Sequence, residues 1–147
     1  MLMTKTQIQS TCGLISKDRE FLFFFGTTTG FWAKKLSLFS HSFVAEFISE
    51  TEMIKFEPLF SQGSLELITF PFEVEENFTV IYVKTRPRNN KNKLVKPTFQ
   101  TCSTLIQYMA GIDLGCITPQ GLYEALTQSN PSWLMERGVM EVSKWVK

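Results

Sequence analysis

The chain has one histidine, His41, and three cysteines, Cys12, Cys102 and Cys116, in 147 residues. So few imidazoles and thiols exclude several kinds of chemistry at once. A structural zinc site takes about four ligands at short spacing; one histidine and three scattered cysteines give no such set, and no metal or other cofactor is expected. An odd number of widely separated cysteines suits no disulfide framework, so at least one thiol is free. An excess of charge is missing too, with fifteen Lys plus Arg against fourteen Asp plus Glu and a net charge of +1. Bulk electrostatics therefore point to neither nucleic acid nor an anionic membrane surface. No apolar run approaches the roughly 20 residues of a membrane span, and the opening MLMTKTQIQSTCG has no apolar stretch of signal-peptide length. The expectation is a chain made and kept in a reducing cytoplasm, or exported by a route other than a signal sequence.

Phenylalanine, by contrast, is abundant. Fourteen Phe, 44% hydrophobic and 14% aromatic residues are the composition of a well-filled globular protein rather than a disordered one. The length fits a single domain over 1–147. No internal repeat of solenoid or propeller period is present.

FLFFF (21–25) is a short unbroken apolar run, the pattern of a buried strand. GTTTG follows as turn and cap, and the spacing of Phe31, Trp32, Leu36 and Phe39 predicts a helix over 31–39. HSFVAEF (41–47) and TEMIKFEPL (51–59) read as strands paired in a hairpin across Ile48-Ser49-Glu50. LELITF (65–70) and FTVIYV (78–83) read as two more, separated by the solvated turn EVEEN. KTRPRNNKNKLVKP (84–97) is basic, but no aromatic residue lies among its charges for bases to stack on, so it reads as a solvated loop.

After that loop the period becomes helical. TCSTLIQYMAG (101–111) has Thr101 or Ser103 near its start and Gly111 as a stop. TPQGLYEALTQ (118–128) has Thr118 as cap and Pro119 at the first helical position. From Trp133 to Val146 the apolar residues fit both periods, which leaves strand or helix open. Together these elements make an α+β fold: a small antiparallel sheet of four to six strands with the helix at 101–111 packed on one face.

Three residues could carry chemistry. Cys102 stands where a helix begins, and the free N–H groups and dipole there stabilise a thiolate and can receive an oxyanion. The bland alternative is a small buried hydrophobe, as most free cysteines are. His41 opens a strand on which alternation gives it the face of Phe43, Ala45 and Phe47; on that face a satisfied core histidine is the competing reading. Glu57, in IKFEP on the partner strand, could reach the imidazole across a hairpin and fix its tautomer. It could equally be one more exposed strand carboxylate, like Glu46, Glu50 or Glu52. Cys12 and Cys116 are structural by default.

The order of these pieces resembles a known family. DREFLFFFGTTTGFWAKKLSLFSHSFVAEF is similar to the opening of the circularly permuted NlpC-type papain-like cysteine hydrolases: strand, glycine turn, helix, then a serine-histidine pair starting the next strand. KFEPL falls where those proteins carry an acidic residue, TFQTCSTLIQYMAGIDL resembles their nucleophile helix, and TPQGLYEAL is similar to the helix that follows. Histidine before cysteine is the order a permutation produces, and the site depends on spatial arrangement rather than chain order.

The resemblance implies Cys102 as nucleophile, His41 as general base, Glu57 as orienting acceptor and the Cys102 N–H as part of an oxyanion hole. It also suggests Tyr82 or Tyr108 in a supporting role. Thr101 and Thr104 depart from it, standing where unpermuted members carry aspartate and glycine. The implied activity is amide hydrolysis through an acyl-enzyme, with peptidoglycan stem peptides as substrate and lipid or other esters as second choice. Compact cell-wall hydrolases of this kind are carried in phage tails, so the implied setting extends to a virion. The opposing class is a non-catalytic assembly module of the same fold, with Trp133 and Trp145 at a protein interface.

Overall fold

A computed structural model describes residues 18–27, 39–59, 62–74, 77–86, 101–112 and 114–140. Cys12, Trp145, the predicted helix over 31–38 and residues 87–97 of the basic stretch lie outside these. Six antiparallel strands form one sheet: β1 (Arg19–Thr27), β2 (Phe39–Phe47), β3 (Glu52–Leu59), β4 (Gln62–Thr69), β5 (Phe78–Thr85) and β6 (Leu134–Met140). Their order across the sheet is β4-β3-β2-β1-β5-β6. Two helices, α1 (Cys102–Ala110) and α2 (Pro119–Gln128), lie between β5 and β6 in the chain.

The run FLFFF is apolar at every position because β1 is central and both of its faces are covered. Phe21, Phe23 and Phe25 alternate onto one face, where they pack with Ile106 and Met109 of α1 and Leu122 and Leu126 of α2. Leu22 and Phe24 enter a second cluster with Phe43, Ala45, Met53 and Val80 on the opposite face. A fully buried Phe contributes about 1.5–3 kcal/mol relative to exposure, so this one strand anchors both sides of the sheet. At its end Gly26 lies opposite His41 on β2 and Phe78 on β5. A Cβ there would come within 2.7 Å of the Phe78 ring, so the position admits no side chain without moving that ring.

The β2–β3 hairpin forms as expected, closed by Ile48 N–H donating to the Glu52 carbonyl at 3.0 Å and by the Ser49 hydroxyl accepting from Thr51 and Glu52. β4 starts at Gln62, three residues ahead of the expected Leu65, because its ladder with β3 runs on to Leu59 opposite Gln62. Gly63 and Ser64 have turn chemistry by themselves, and cross-strand pairing overrides it. Lys84 and Thr85 belong to β5 rather than to the basic loop, held by pairing to β1 and β6. The segment after Trp133, ambiguous in sequence, is the edge strand β6, because β5 offers it a free ladder.

Phe39, expected as the last residue of a helix, opens β2 instead. The register slips between Gly26 and Thr27, so that Gly26 faces His41 but Thr27 faces Phe39. That irregularity turns Phe39 onto the helix face, where its ring lies 4.8 Å from that of Tyr123, and Gln120 Oε1 accepts its N–H at 3.3 Å. No described helix is long and apolar enough to cross a membrane.

Candidate active site

Helix α1 begins where the sequence says it should. Thr101 is its N-cap in extended conformation, and the Thr101 hydroxyl accepts the Thr104 N–H while the Thr104 hydroxyl accepts the Thr101 N–H at 2.8 Å. This reciprocal pair is a capping box with threonine in place of the usual acid. The two threonines that depart from the family pattern thus have a structural use. Thr101 also donates to the Ile117 carbonyl at 2.8 Å, tying the helix start to the approach of α2. Since the first N–H groups of a helix have no partner within it, those of Cys102 and Ser103 stay outside the helix's own bonding. Gly111 ends the helix in the left-handed region, at φ 69°.

Cys102, the first helical residue, is half-buried. Its sulfur accepts a hydrogen bond from the Ser42 hydroxyl at 3.5 Å. On the same strand His41 Nε2 lies 3.0 Å from Glu57 Oε2. The side chains of this pair are 33% and 25% exposed, so solvent reaches both. Glu57 Oε1 lies 3.5 Å from Lys55 Nζ, and that ammonium stands 4.8 Å above the Phe43 ring. His41, Glu57 and Lys55 therefore gather beside Phe43, on the sheet face away from the helices, as strand alternation predicts for His41.

How a thiol from the helix face meets an imidazole from the other is a matter of register. β2 pairs with β3 only from Phe47 opposite Met53 to Val44 opposite Phe56. Pro58 lies just beyond and has no N–H to give; β3 continues, bonded to β4 alone. Where the β2–β3 ladder has stopped, the start of α1 brings the sulfur against the Ser42 and His41 end of β2. Since Glu57 holds Nε2, Nδ1 is the nitrogen left to serve the sulfur.

The two groups shift each other accordingly. A hydrogen bond with Cys102 is the main influence raising the His41 pKa above its ordinary value; burial opposes it, and Glu57 adds to it. Burial pushes the Cys102 thiol up, but the His41 side chain, the Ser42 hydroxyl, the Ser42 backbone N–H and the positive charge of His41 together outweigh it and bring it to about 7. A thiolate and imidazolium are thus favoured together near neutral pH.

All three predicted residues converge. Ser42 was missed, although its position carried a signal: it stands in the run Ser42-Phe43-Val44-Ala45, whose other members are apolar, and here all four are buried. Tyr82 is not part of the site. It pairs with Leu22 and Gly138, two strands from His41, and its pKa is pushed up to about 12 by burial and by Glu20 and Glu136. Tyr108 lies six residues beyond Cys102 in α1, about 9 Å along the helix axis. Cys116 donates weakly to the carbonyls of Leu114 and Gly121, both at 3.5 Å, while its own carbonyl accepts from Gln107 Nε2 at 2.7 Å. Compared with family models, curated proteins and solved structures, the chain shows no significant match.

Proposed function

We propose that the protein is a thiol hydrolase that cleaves an amide bond through an acyl-enzyme, with a permuted papain-like arrangement of Cys102, His41 and Glu57. One observation carries this reading: the sulfur of a helix-start thiol lies 3.5 Å from the hydroxyl of Ser42, next in the strand to an imidazole whose Nε2 is held 3.0 Å from a carboxylate. A structural cysteine needs none of these partners; a nucleophile needs each of them. The Cys102 thiolate attacks the substrate carbonyl, and the oxyanion turns toward the N–H groups at the start of α1. His41 Nδ1–H gives its proton to the leaving amine, and Glu57 keeps the ring oriented while it does so. Water, deprotonated by the same nitrogen, then releases the acyl group.

The preferred substrate is a peptidoglycan stem peptide, on the strength of the family resemblance, and a tail-associated role in a virion is the setting that goes with it. The test is digestion of purified peptidoglycan by the wild-type chain and by Cys102→Ala, with products read by mass spectrometry. New amine and carboxyl ends from wild type alone are the expected result. Identical products, or none from wild type on peptidoglycan, peptide or activated ester, would assign the fold to assembly rather than catalysis.

A further inference from the structure

Ser42 is fully buried, and among the described residues its hydroxyl has one partner, the Cys102 sulfur at 3.5 Å. A hydroxyl has a single hydrogen to donate, and this one is shielded from bulk solvent. A neutral serine at an inward strand position costs core packing, so its place against the sulfur needs a reason. Within the hydrolase reading, on which this inference rests, the two half-reactions make different demands on the sulfur. In acylation His41 and the thiol face each other. In deacylation Nδ1 must turn to the incoming water, and the sulfur loses the donor that balanced its charge.

We propose that Ser42 is a catalytic residue of this site, the donor that receives the negative charge of the Cys102 sulfur as the acyl-enzyme breaks down. Water oxygen bonds to the acyl carbon, and one water proton passes to His41 Nδ1. The carbon–sulfur bond then breaks with its electron pair left on sulfur, and the acid departs with the remaining water proton on its new hydroxyl. The Ser42 O–H and backbone N–H hold the thiolate, and the imidazolium formed in the same step restores the resting ion pair. Among the described residues, the titratable and charged groups around the thiol are His41 on β2 and, through it, Glu57 and Lys55 on β3. Helix α1 has no acid in its first turn, and Cys116, on the segment before α2, is bonded to backbone carbonyls.

Two readouts of Ser42→Ala, with Ser42→Thr as the variant that keeps a hydroxyl, decide the matter. The first is the pH dependence of Cys102 alkylation by iodoacetamide, located by peptide mass. The midpoint should rise by about one pH unit in Ser42→Ala, the shift that one charge-assisted hydrogen bond corresponds to, and return most of the way in Ser42→Thr. The second is p-nitrophenyl acetate hydrolysis followed from mixing. At a pH above both alkylation midpoints, where the thiol of either protein is ionised, Ser42→Ala should slow the steady phase about tenfold while the initial burst is slowed much less, so that acyl-enzyme accumulates. An unmoved alkylation midpoint, or equal slowing of both phases, overturns the role of Ser42 while leaving the hydrolase reading standing. A wild-type chain alkylated near pH 7 that turns over neither this ester nor peptidoglycan nor peptide overturns both.

Discussion

The two ends of β2 each pair an acid with a cation, and they do so in opposite ways. At one end Glu46 takes both Arg19 Nε and Nη2, at 2.5 and 2.7 Å, with the Arg19 side chain 7% exposed. The same guanidinium donates to the Met109 carbonyl at 3.3 Å, at the C-terminal end of α1 where a cation complements the helix dipole. At the other end His41 meets Glu57 through one nitrogen, Lys55 shares the carboxylate, and the second nitrogen is left for a thiol at the N-terminal end of the same helix. Four residues of strand from Ser42 to Glu46 span about 13 Å, and seven residues of helix from Cys102 to Met109 about 10 Å, so α1 is fastened to β2 at both ends. The arginine clamp is a bidentate pair with its geometry fixed by two parallel N–H donors. The histidine end is built from the side chain that titrates near neutrality. A protein that needed only stability had the first arrangement available at both ends.

The comparison breaks most visibly in activity. Cys102→Ala should abolish hydrolysis and His41→Ala reduce it by at least about a thousandfold, both with little change in melting temperature. Arg19→Met should do the reverse. Leaving the half-buried Glu46 unpaired costs about 1–3 kcal/mol, read by urea denaturation, while the alkylation midpoint of Cys102 in the folded fraction stays near that of wild type. The double variant Arg19→Met with Glu46→Leu should recover most of that stability, which a catalytic or ligand-binding role for the pair would not allow.

The titration of the thiol gives the next effect. Its pKa is lowered to about 7, so the thiolate forms above that pH and alkylation falls away as the pH drops through it. His41→Ala removes the largest of the interactions that lower the pKa, and the midpoint should rise by at least about one unit toward the 8.5 of a free thiol. At neutral pH, iodoacetamide should label Cys102 well ahead of Cys12 and Cys116, and equal slow labelling of all three would sink the ion pair. Glu57→Gln should lower turnover about a hundredfold, near the low end of what a positioned acid–base partner contributes, with the Cys102 thiol still reactive. Smallest is Lys55→Met. It frees Glu57 for His41 alone and should move the pH profile by a few tenths of a unit, the range of a partly exposed ion pair.

Much of the site was legible before any coordinates. Thr101 and Gly111 bracket α1 by their own backbone chemistry, and Thr118 with Pro119 opens α2, so the helix start that holds Cys102 was fixed locally. Alternation along HSFVAEF put His41 beside Phe43, where it is. The signal at Ser42 is local, one hydroxyl among apolar neighbours, and says that the residue is out of place but not what it faces; likewise nothing in the segment of Tyr82 says how many strands separate it from the histidine. The place of Phe39 was hidden by the register slip opposite Gly26, which depends on how two chain segments meet.

By itself the sequence determined the cores of β1 to β5, the starts of both helices, and the face that His41 and Phe43 share, because caps and periodicity are properties of residues a few positions apart; β6 and the face of Phe39 it left to pairing between strands. Only the tertiary structure decided that the β2–β3 ladder ends at Val44 and Phe56 and that the head of α1 comes to β2 beside that end. Those outcomes depend on packing between residues as far apart in the chain as Ser42 and Cys102, and periodicity gives a side chain its face but never its neighbour.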